Sequence, residues 1–243
     1  MKALVLAAGY ATRLYPLTLD RPKPLLEVGG RPILEHLLDQ LPLSELSTIY
    51  VVTNAKFAPH FREWAQTHAA PIEVVDDGTT SEEDRLGAIG DLDLVIRTQK
   101  VDDDLLVAAG DNLFTEPLDN FVRFGQERDA AVIAVHDTGD LEAIKRFSSI
   151  SVDSDQRVTS FQEKPEHPVS TLAGIALYFY PRAVLPLVGK YLAEGNNSDQ
   201  PGRLIEWLYT RTPVYAWHLP GRWIDIGTPE SLAEADRSFG TPE

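Results

Sequence analysis

The chain contains no cysteine. That excludes a disulfide, a thiolate metal site and a cysteine nucleophile, and it leaves the redox compartment open. Basic residues are also scarce: 22 Lys and Arg stand against 37 Asp and Glu, a formal net charge of -15 at pH 7. A field of that sign repels polyanions, which argues against nucleic acid and acidic membrane surfaces as partners. No apolar run reaches the length of a membrane span, and Tyr10, Thr12 and Arg13 interrupt the N-terminus before a secretory leader could form. A cytoplasmic location is therefore expected. The histidines form no recognisable cluster, and there is no internal repeat or low-complexity tract. What remains is 243 residues with 43% hydrophobic content, ample for a core, read as a single α/β domain over residues 1–243.

Within this acidic whole, residues 1–31 are locally basic. Lys2, Arg13, Arg21, Lys23 and Arg31 outnumber Asp20 and Glu27, for a local net charge of +3. A small anion can be held there while the acidic remainder keeps the surface solvated. Ala3 to Ala7 form an uninterrupted apolar run that suits a strand buried on both faces of a parallel sheet. Ala8-Gly9 ends it. Gly9 permits positive φ and a close backbone approach, so that successive N–H groups can surround an anion. Arg13 and Lys23 follow, and Pro16, Pro22 and Pro24 stiffen the path, leaving less conformational entropy to lose on binding.

The remainder alternates between elements. Pro32 to Leu41 carries Ile33, Leu34, Leu37, Leu38 and Leu41 at helical spacing, and Thr48 to Thr53 is a β-branched strand. Residues 59–68 read as a helix with Phe61, Trp64 and Ala65 inward, and 72–75 as a strand. This order predicts a Rossmann-like, doubly wound, mixed but mostly parallel sheet whose ligands gather at the carboxyl ends of the strands. Ser81 and Asp84 have the spacing of a capping box for a helix from about Arg85 to Thr98. Gly87 and Gly90 within it suit close helix packing. Leu105 to Ala109 is a central strand by composition, ended by Gly110-Asp111-Asn112. After a helix at 118–127, a strand at 131–136 and a short helix near 142–145, three strand-like runs at 150–152, 157–162 and 172–179 predict an antiparallel or mixed extension. Helices at 182–194 and 203–211, strands at 214–218 and 223–226, and a helix after Pro229 close the chain.

Leu6-Ala-Ala-Gly9, Thr12-Arg-Leu14, Pro16-Leu-Thr18 and Pro22-Lys-Pro-Leu-Leu26 resemble the signature of the sugar-phosphate nucleotidyltransferases, the nucleoside-diphosphate-sugar pyrophosphorylases. One departure is Ala11, where the family usually shows a second glycine. The resemblance implies a nucleotide-diphospho-sugar transferase fold, with a nucleotide-binding half at 1–136 and a sugar-binding half with C-terminal helices at 137–243. It implies nucleotide contacts from Leu6, Ala8, Gly9, Ala11, Thr12, Gly87 and Gly110. Asp111, and Asp225 in Trp223-Ile-Asp-Ile-Gly-Thr-Pro229, match positions that hold Mg²⁺ against the α-phosphate. Two carboxylates suffice for a cation that completes its shell with substrate phosphates and water. Taken alone, each aspartate would more often be a strand-end turn residue or a helix cap. Glu163-Lys164-Pro165 is similar to a motif whose glutamate accepts hydrogen bonds from sugar hydroxyls and whose lysine meets a phosphate. Gly174 lies in an Ala-Gly-Ile strand resembling one where small side chains let the backbone reach the sugar.

The implied reaction is in-line attack by a sugar 1-phosphate oxygen on the α-phosphorus of a nucleoside triphosphate, with Arg13, Lys23, Asp111 and Asp225 as the catalytic set. The nucleophile is already an anion, so positioning and charge neutralisation dominate. The resemblance leans to dTTP or UTP and to a glucose-like hexose 1-phosphate. Ser148, in Arg146-Phe-Ser-Ser-Ile150, stands where many members carry the glycine of Tyr-Gly. That keeps open a cytidylyltransferase acting on a phosphorylated alcohol such as phosphocholine or inositol phosphate; a non-catalytic sugar-nucleotide sensor on the same fold is a separate alternative, against which the presence of Arg13, Lys23, Asp111 and Asp225 together argues. A second activity of the kind carried by a C-terminal left-handed β-helix in some relatives is not expected, and a homo-oligomer stays open.

Overall fold

The computed structural model describes residues 1–239. Its strands, in chain order, are β1 (Lys2–Leu6), β2 (Glu27–Val28), β3 (Arg31–Pro32), β4 (Thr48–Thr53), β5 (Ile72–Asp76), β6 (Leu105–Ala109), β7 (Asn112–Phe114), β8 (Ala131–Asp137), β9 (Ser148–Val152), β10 (Val158–Glu163), β11 (Leu172–Tyr180), β12 (Val214–His218) and β13 (Trp223–Asp225). The helices are α1 (Ile33–Gln40), α2 (Ala58–Ala65), α3 (Ala88–Thr98), α4 (Asp119–Arg128), α5 (Leu141–Ile144), α6 (Leu185–Ala193), α7 (Gly202–Leu208) and α8 (Pro229–Phe239). They pack into two compact units, each discontinuous in sequence. The first takes Met1–Leu86, Ala108–Asp119 and the residues from Gly221 on; the second takes Gly87–Val107 and Asn120–Pro220.

In the first unit β1 runs parallel to β4, from Lys2↔Thr48 to Leu6↔Val52, and β4 parallel to β5, from Ile49↔Ile72 to Thr53↔Asp76. All three therefore finish on one edge, from which the loops at Ala7, Asn54 and Asp77 depart. Burial of Ala3, Leu4 and Val5 beside Ile49 to Val52 accounts for the continuous apolar runs. Helix α1 turns Ile33, Leu34, Leu37 and Leu38 inward, and α2 turns Ala58, Phe61 and Trp64. Each large apolar side chain buried in this way contributes roughly 1.5–3 kcal/mol. Ala65, expected inward, is only half-buried because the helix ends there. A further cluster of Leu14, Leu26, Val28, Ile33, Leu113, Ile224, Ile226 and Ala235 fastens the N-terminal loop to β7, β13 and α8.

The second unit is mainly antiparallel. Strand β11 pairs antiparallel with β8 and β9, and β9 with β10, while β12 runs parallel to β8. Parallel pairing in the first unit and an antiparallel extension in the second, both flanked by helices, make the mixed α/β architecture that the alternation of elements predicts. Helix α3 corrects one expectation: it begins at Ala88 rather than near Arg85. Gly87 holds φ 81° and ψ 160°, outside the helical region, and Ser81 and Asp84 do not cap the helix. Instead the Asp84 carboxylate accepts hydrogen bonds from the Thr80 and Ser81 N–H groups, closing a turn upstream and holding its pKa below the ordinary value. No helix among the described residues is long and apolar enough to cross a membrane.

Candidate active site

The loop after β1 is locked by buried polar groups. Ala7 N–H donates to the Val52 carbonyl at 2.9 Å, and the Leu6 carbonyl accepts from Gly110 N–H at 2.9 Å. The Ala8 carbonyl accepts from Asn54 Nδ2 at 2.9 Å, and Asn54, fully buried just past β4, also accepts from Phe57 N–H. Gly9 does not use the positive φ it permits; the left-handed residue is Ala11, at φ 51° and ψ 42°. Gly9 instead provides room, since a Cβ there would have no atom within 4 Å. A left-handed alanine costs about 1–2 kcal/mol. Its carbonyl accepts from Leu14 N–H at 2.9 Å and from the hydroxyl of fully buried Thr18 at 2.9 Å, which offsets much of that cost. The 3₁₀ turn Thr12–Leu14 starts at this point, buries Leu14 and leaves Thr12 and Arg13 exposed.

Lys23 opens a second 3₁₀ turn, Lys23–Leu25. Its ammonium donates to Asp111 Oδ2 and, at 2.8 Å, to the Ile226 carbonyl. Gly110, just before Asp111, lets β1 and Pro24 approach: a Cβ would lie 3.1 Å from Pro24 Cγ and from Val5 Cγ1. Asp111 Oδ1 accepts from Asn112 Nδ2 at 2.9 Å, and Asn112 Oδ1 accepts from Trp223 Nε1. Burial pushes the Asp111 carboxyl up, but the charge and hydrogen bond of Lys23, with the Asn112 amide, outweigh it, and its pKa lies below the usual carboxylate value. Asp225 arrives by pairing of β13 with β7, through Trp223↔Phe114, Ile224↔Leu113 and Asp225↔Asn112. Ile226 N–H then donates to the Asp111 carbonyl at 3.0 Å, so the two aspartates stand one register step apart. The open face of Gly227 joins the last member: a Cβ there would lie 3.5 Å from Asp225 Oδ2 and 3.8 Å from both terminal nitrogens of Arg13.

Four sequence-predicted residues, Arg13, Lys23, Asp111 and Asp225, thus converge within the first unit. Asp111, whose carboxyl is held ionised, and Asp225, one register step away, are the carboxylates available here to a hard cation that takes oxygen ligands. Among the described residues no group of three or more His, Cys, Asp and Glu could hold a metal, so such an ion would need ligands beyond the side chains.

The residues assigned to the sugar lie in the second unit. Glu163 ends β10 opposite Ser148 of β9, and the Ser148 hydroxyl donates to Glu163 Oε2. A Cβ on Gly202 would come within 2.0 Å of that oxygen. Lys164 is exposed, takes φ 47° and donates its N–H to the Phe147 carbonyl at 2.9 Å. Gly174 is needed for packing, since its Cβ position lies 2.9 Å from Ile133 Cδ1 and Ile150 Cδ1. Gly87 likewise admits the 198–199 backbone, with Ser198 O only 2.6 Å from its Cβ position. The Ala88 and Ile89 N–H groups at the start of α3 donate to Asp199 and Ser198 carbonyls, so packing by itself requires glycine at position 87. Sequence reasoning missed Asn54, Thr18, Asn112 and the Ile226 carbonyl. Asn54, a polar residue directly after a strand at the ligand edge, carried a usable signal, and Thr18 lies within the signature itself with its partner Ala11 close by; Asn112 and the Ile226 carbonyl depend on partners far along the chain.

The nucleotidyl transferase family matches residues 2–240. The chain belongs to that family. It is 27% identical to the bifunctional protein GlmU of Methanocaldococcus jannaschii over 98% of this chain, spanning 54% of that relative. It is 28% identical to the UTP–glucose-1-phosphate uridylyltransferase AglF of Haloferax volcanii, over 98% of this chain and 96% of the relative. The chain therefore spans about half the length of the first relative and nearly all of the second. A solved UDP-glucose pyrophosphorylase complexed with UDP-glucose superposes with TM-score 0.82 at 19% identity, covering 98% of this chain and 97% of the other. At that identity the agreement is one of fold.

Proposed function

We propose that this family member transfers a nucleotidyl group from a nucleoside triphosphate to a sugar 1-phosphate. A sugar-phosphate oxygen forms a bond to the α-phosphorus, the bond from that phosphorus to the bridging oxygen breaks, and pyrophosphate leaves with the electron pair. The observation that carries this reading is the junction of Lys23, Asp111 and the Ile226 carbonyl beside Arg13 and Asp225: two cations and two carboxylates gathered within the first unit. That inventory suits a reaction whose nucleophile is already ionised and whose barrier falls through charge neutralisation and alignment. Arg13 binds the α-phosphate and the departing pyrophosphate, and Lys23 binds phosphate on the leaving side. Asp111 and Asp225 would hold Mg²⁺, which would supply divalent charge to neutralise the phosphates. Leu6, Ala8, Gly9, Ala11, Thr12, Gly87 and Gly110 contact the nucleotide; Glu163, Lys164 and Gly174 take the sugar phosphate. We favour dTTP or UTP with a glucose-like sugar, in keeping with the uridylyltransferase name of the full-length relative.

The test is pyrophosphate release with Mg²⁺ across five nucleoside triphosphates and a panel of sugar 1-phosphates, phosphocholine and inositol phosphates, with Asp111→Asn as control. Release with UTP or dTTP and one hexose 1-phosphate, lost in the control, is the expected result. Release only with CTP and a phosphorylated alcohol would replace the substrate assignment. Nucleotide binding without release on any pair would overturn catalysis in favour of a sensor.

A further inference from the structure

We propose that Thr18 is a positioning residue for Arg13, acting through the left-handed backbone of Ala11; this rests on reading Arg13 as a triphosphate ligand. Thr18 has no exposed surface, so it cannot touch a substrate. Its hydroxyl donates to the Ala11 carbonyl at 2.9 Å across seven residues of chain. That carbonyl also receives Leu14 N–H at 2.9 Å, so both of its lone pairs are engaged. Ala11 stands at φ 51° and ψ 42° immediately before the 3₁₀ turn of Thr12–Leu14. An alanine has no intrinsic reason to remain there, because its Cβ crowds the backbone in the left-handed region. Release of the hydroxyl bond lets Ala11 move toward a commoner conformation, and the direction in which the chain enters the turn moves with it. Leu14 is buried in the cluster with Leu26 and Ile226 and anchors the far end of the turn. Arg13, exposed between the two anchors, takes up the change. The guanidinium then leaves its place beside Gly227 and Asp225, where charge alignment decides the rate.

Thr18→Val keeps the buried shape and removes the donor; Thr18→Ser keeps the donor. Ala11→Gly, combined with Thr18→Val, restores free access to the left-handed conformation without the hydroxyl. Two readouts are taken on all variants: kcat and KM for the triphosphate, and calorimetric binding of UTP and dTTP. Thr18→Val is expected to lower kcat/KM for the triphosphate by between about ten- and a hundred-fold and to weaken nucleotide binding, with KM for the sugar phosphate unchanged. Thr18→Ser is expected within about threefold of the parent, and Ala11→Gly is expected to recover most of the loss. A residue needed only for folding would lower the unfolding temperature without splitting the two KM values, and glycine at position 11 would not rescue it. Thr18→Val within twofold of the parent on both readouts, or a double variant no better than Thr18→Val, overturns the proposal. If the parent binds nucleotide but releases no pyrophosphate, the catalytic reading fails while the binding arm still decides the role of Thr18. A parent that neither binds nor turns over overturns both.

Discussion

The loop of residues 8–26 in the first unit and the strand region around Glu163 in the second are held in place by different means. In the first, single polar side chains hold backbone groups: Asn54 on Ala8, Thr18 on Ala11, Lys23 on Ile226. In the second, placement follows from cross-strand register and absent volume, with Glu163 and Gly174 both opposite Ser148 and Gly202 leaving space for the Glu163 carboxylate. The first should therefore be sensitive to loss of a charge or donor, and the second to gain of a carbon atom.

The largest effect is expected from Lys23→Met. It leaves the Asp111 carboxylate, 24% exposed, without its cation. Turnover should fall by roughly a hundred-fold or more, as when a preorganised donor is removed. Stability should fall by about 1–3 kcal/mol, less than for a fully buried pair because water reaches the carboxylate. Steady-state kinetics and urea unfolding read the two; turnover like the parent's would break the comparison at its stronger side.

Gly202→Ala tests the other region. The new Cβ would meet the flexible end of Glu163, so the carboxylate shifts while the fold survives. KM for the sugar phosphate is expected to rise roughly tenfold, the size of a lost charged hydrogen bond, with KM for the triphosphate unaffected. Equal changes in both constants would show that the regions are not separable.

The smallest effect concerns acid. A carboxyl whose folded pKa is depressed contributes stability that is full above its unfolded value and is lost as pH falls through the folded one. For Asp111 the ordinary value is 3.8 and the folded value lies below it. The stability gap between the parent and Asp111→Asn should therefore be constant at neutral pH and shrink only below about pH 4. A gap already closing at pH 6 would mean that Lys23 does not hold the carboxyl down.

This division also explains what could be read in advance. The strands at Thr48–Thr53 and Leu105–Ala109 were legible to the residue because both are continuous β-branched or apolar runs, and such runs have few alternatives to a buried strand. The signature loop was legible because its residues are contiguous. Which residue in it turns left-handed was not, since Gly9 permits that conformation without requiring it and the Thr18 bond holds Ala11 there instead. The start of α3 was missed for a related reason: Gly87 is shaped by Ser198 and Asp199, more than a hundred residues away. Nor could composition indicate that Lys23 would sit on Asp111, because that pairing depends on tertiary packing.

The double engagement of Lys23 has a consequence for biosynthesis. Its carbonyl partner on Ile226 lies 203 residues further along the chain. At translation rates of about 5–20 residues per second, the cation loop waits roughly 10–40 s after its own emergence before β13 exists to complete it. Contacts of such separation are also the slow ones to close. An arrested nascent chain can display the whole N-terminal signature and still be unable to assemble the junction, which makes ligand binding a readout of synthesis through Ile226 rather than of the motif.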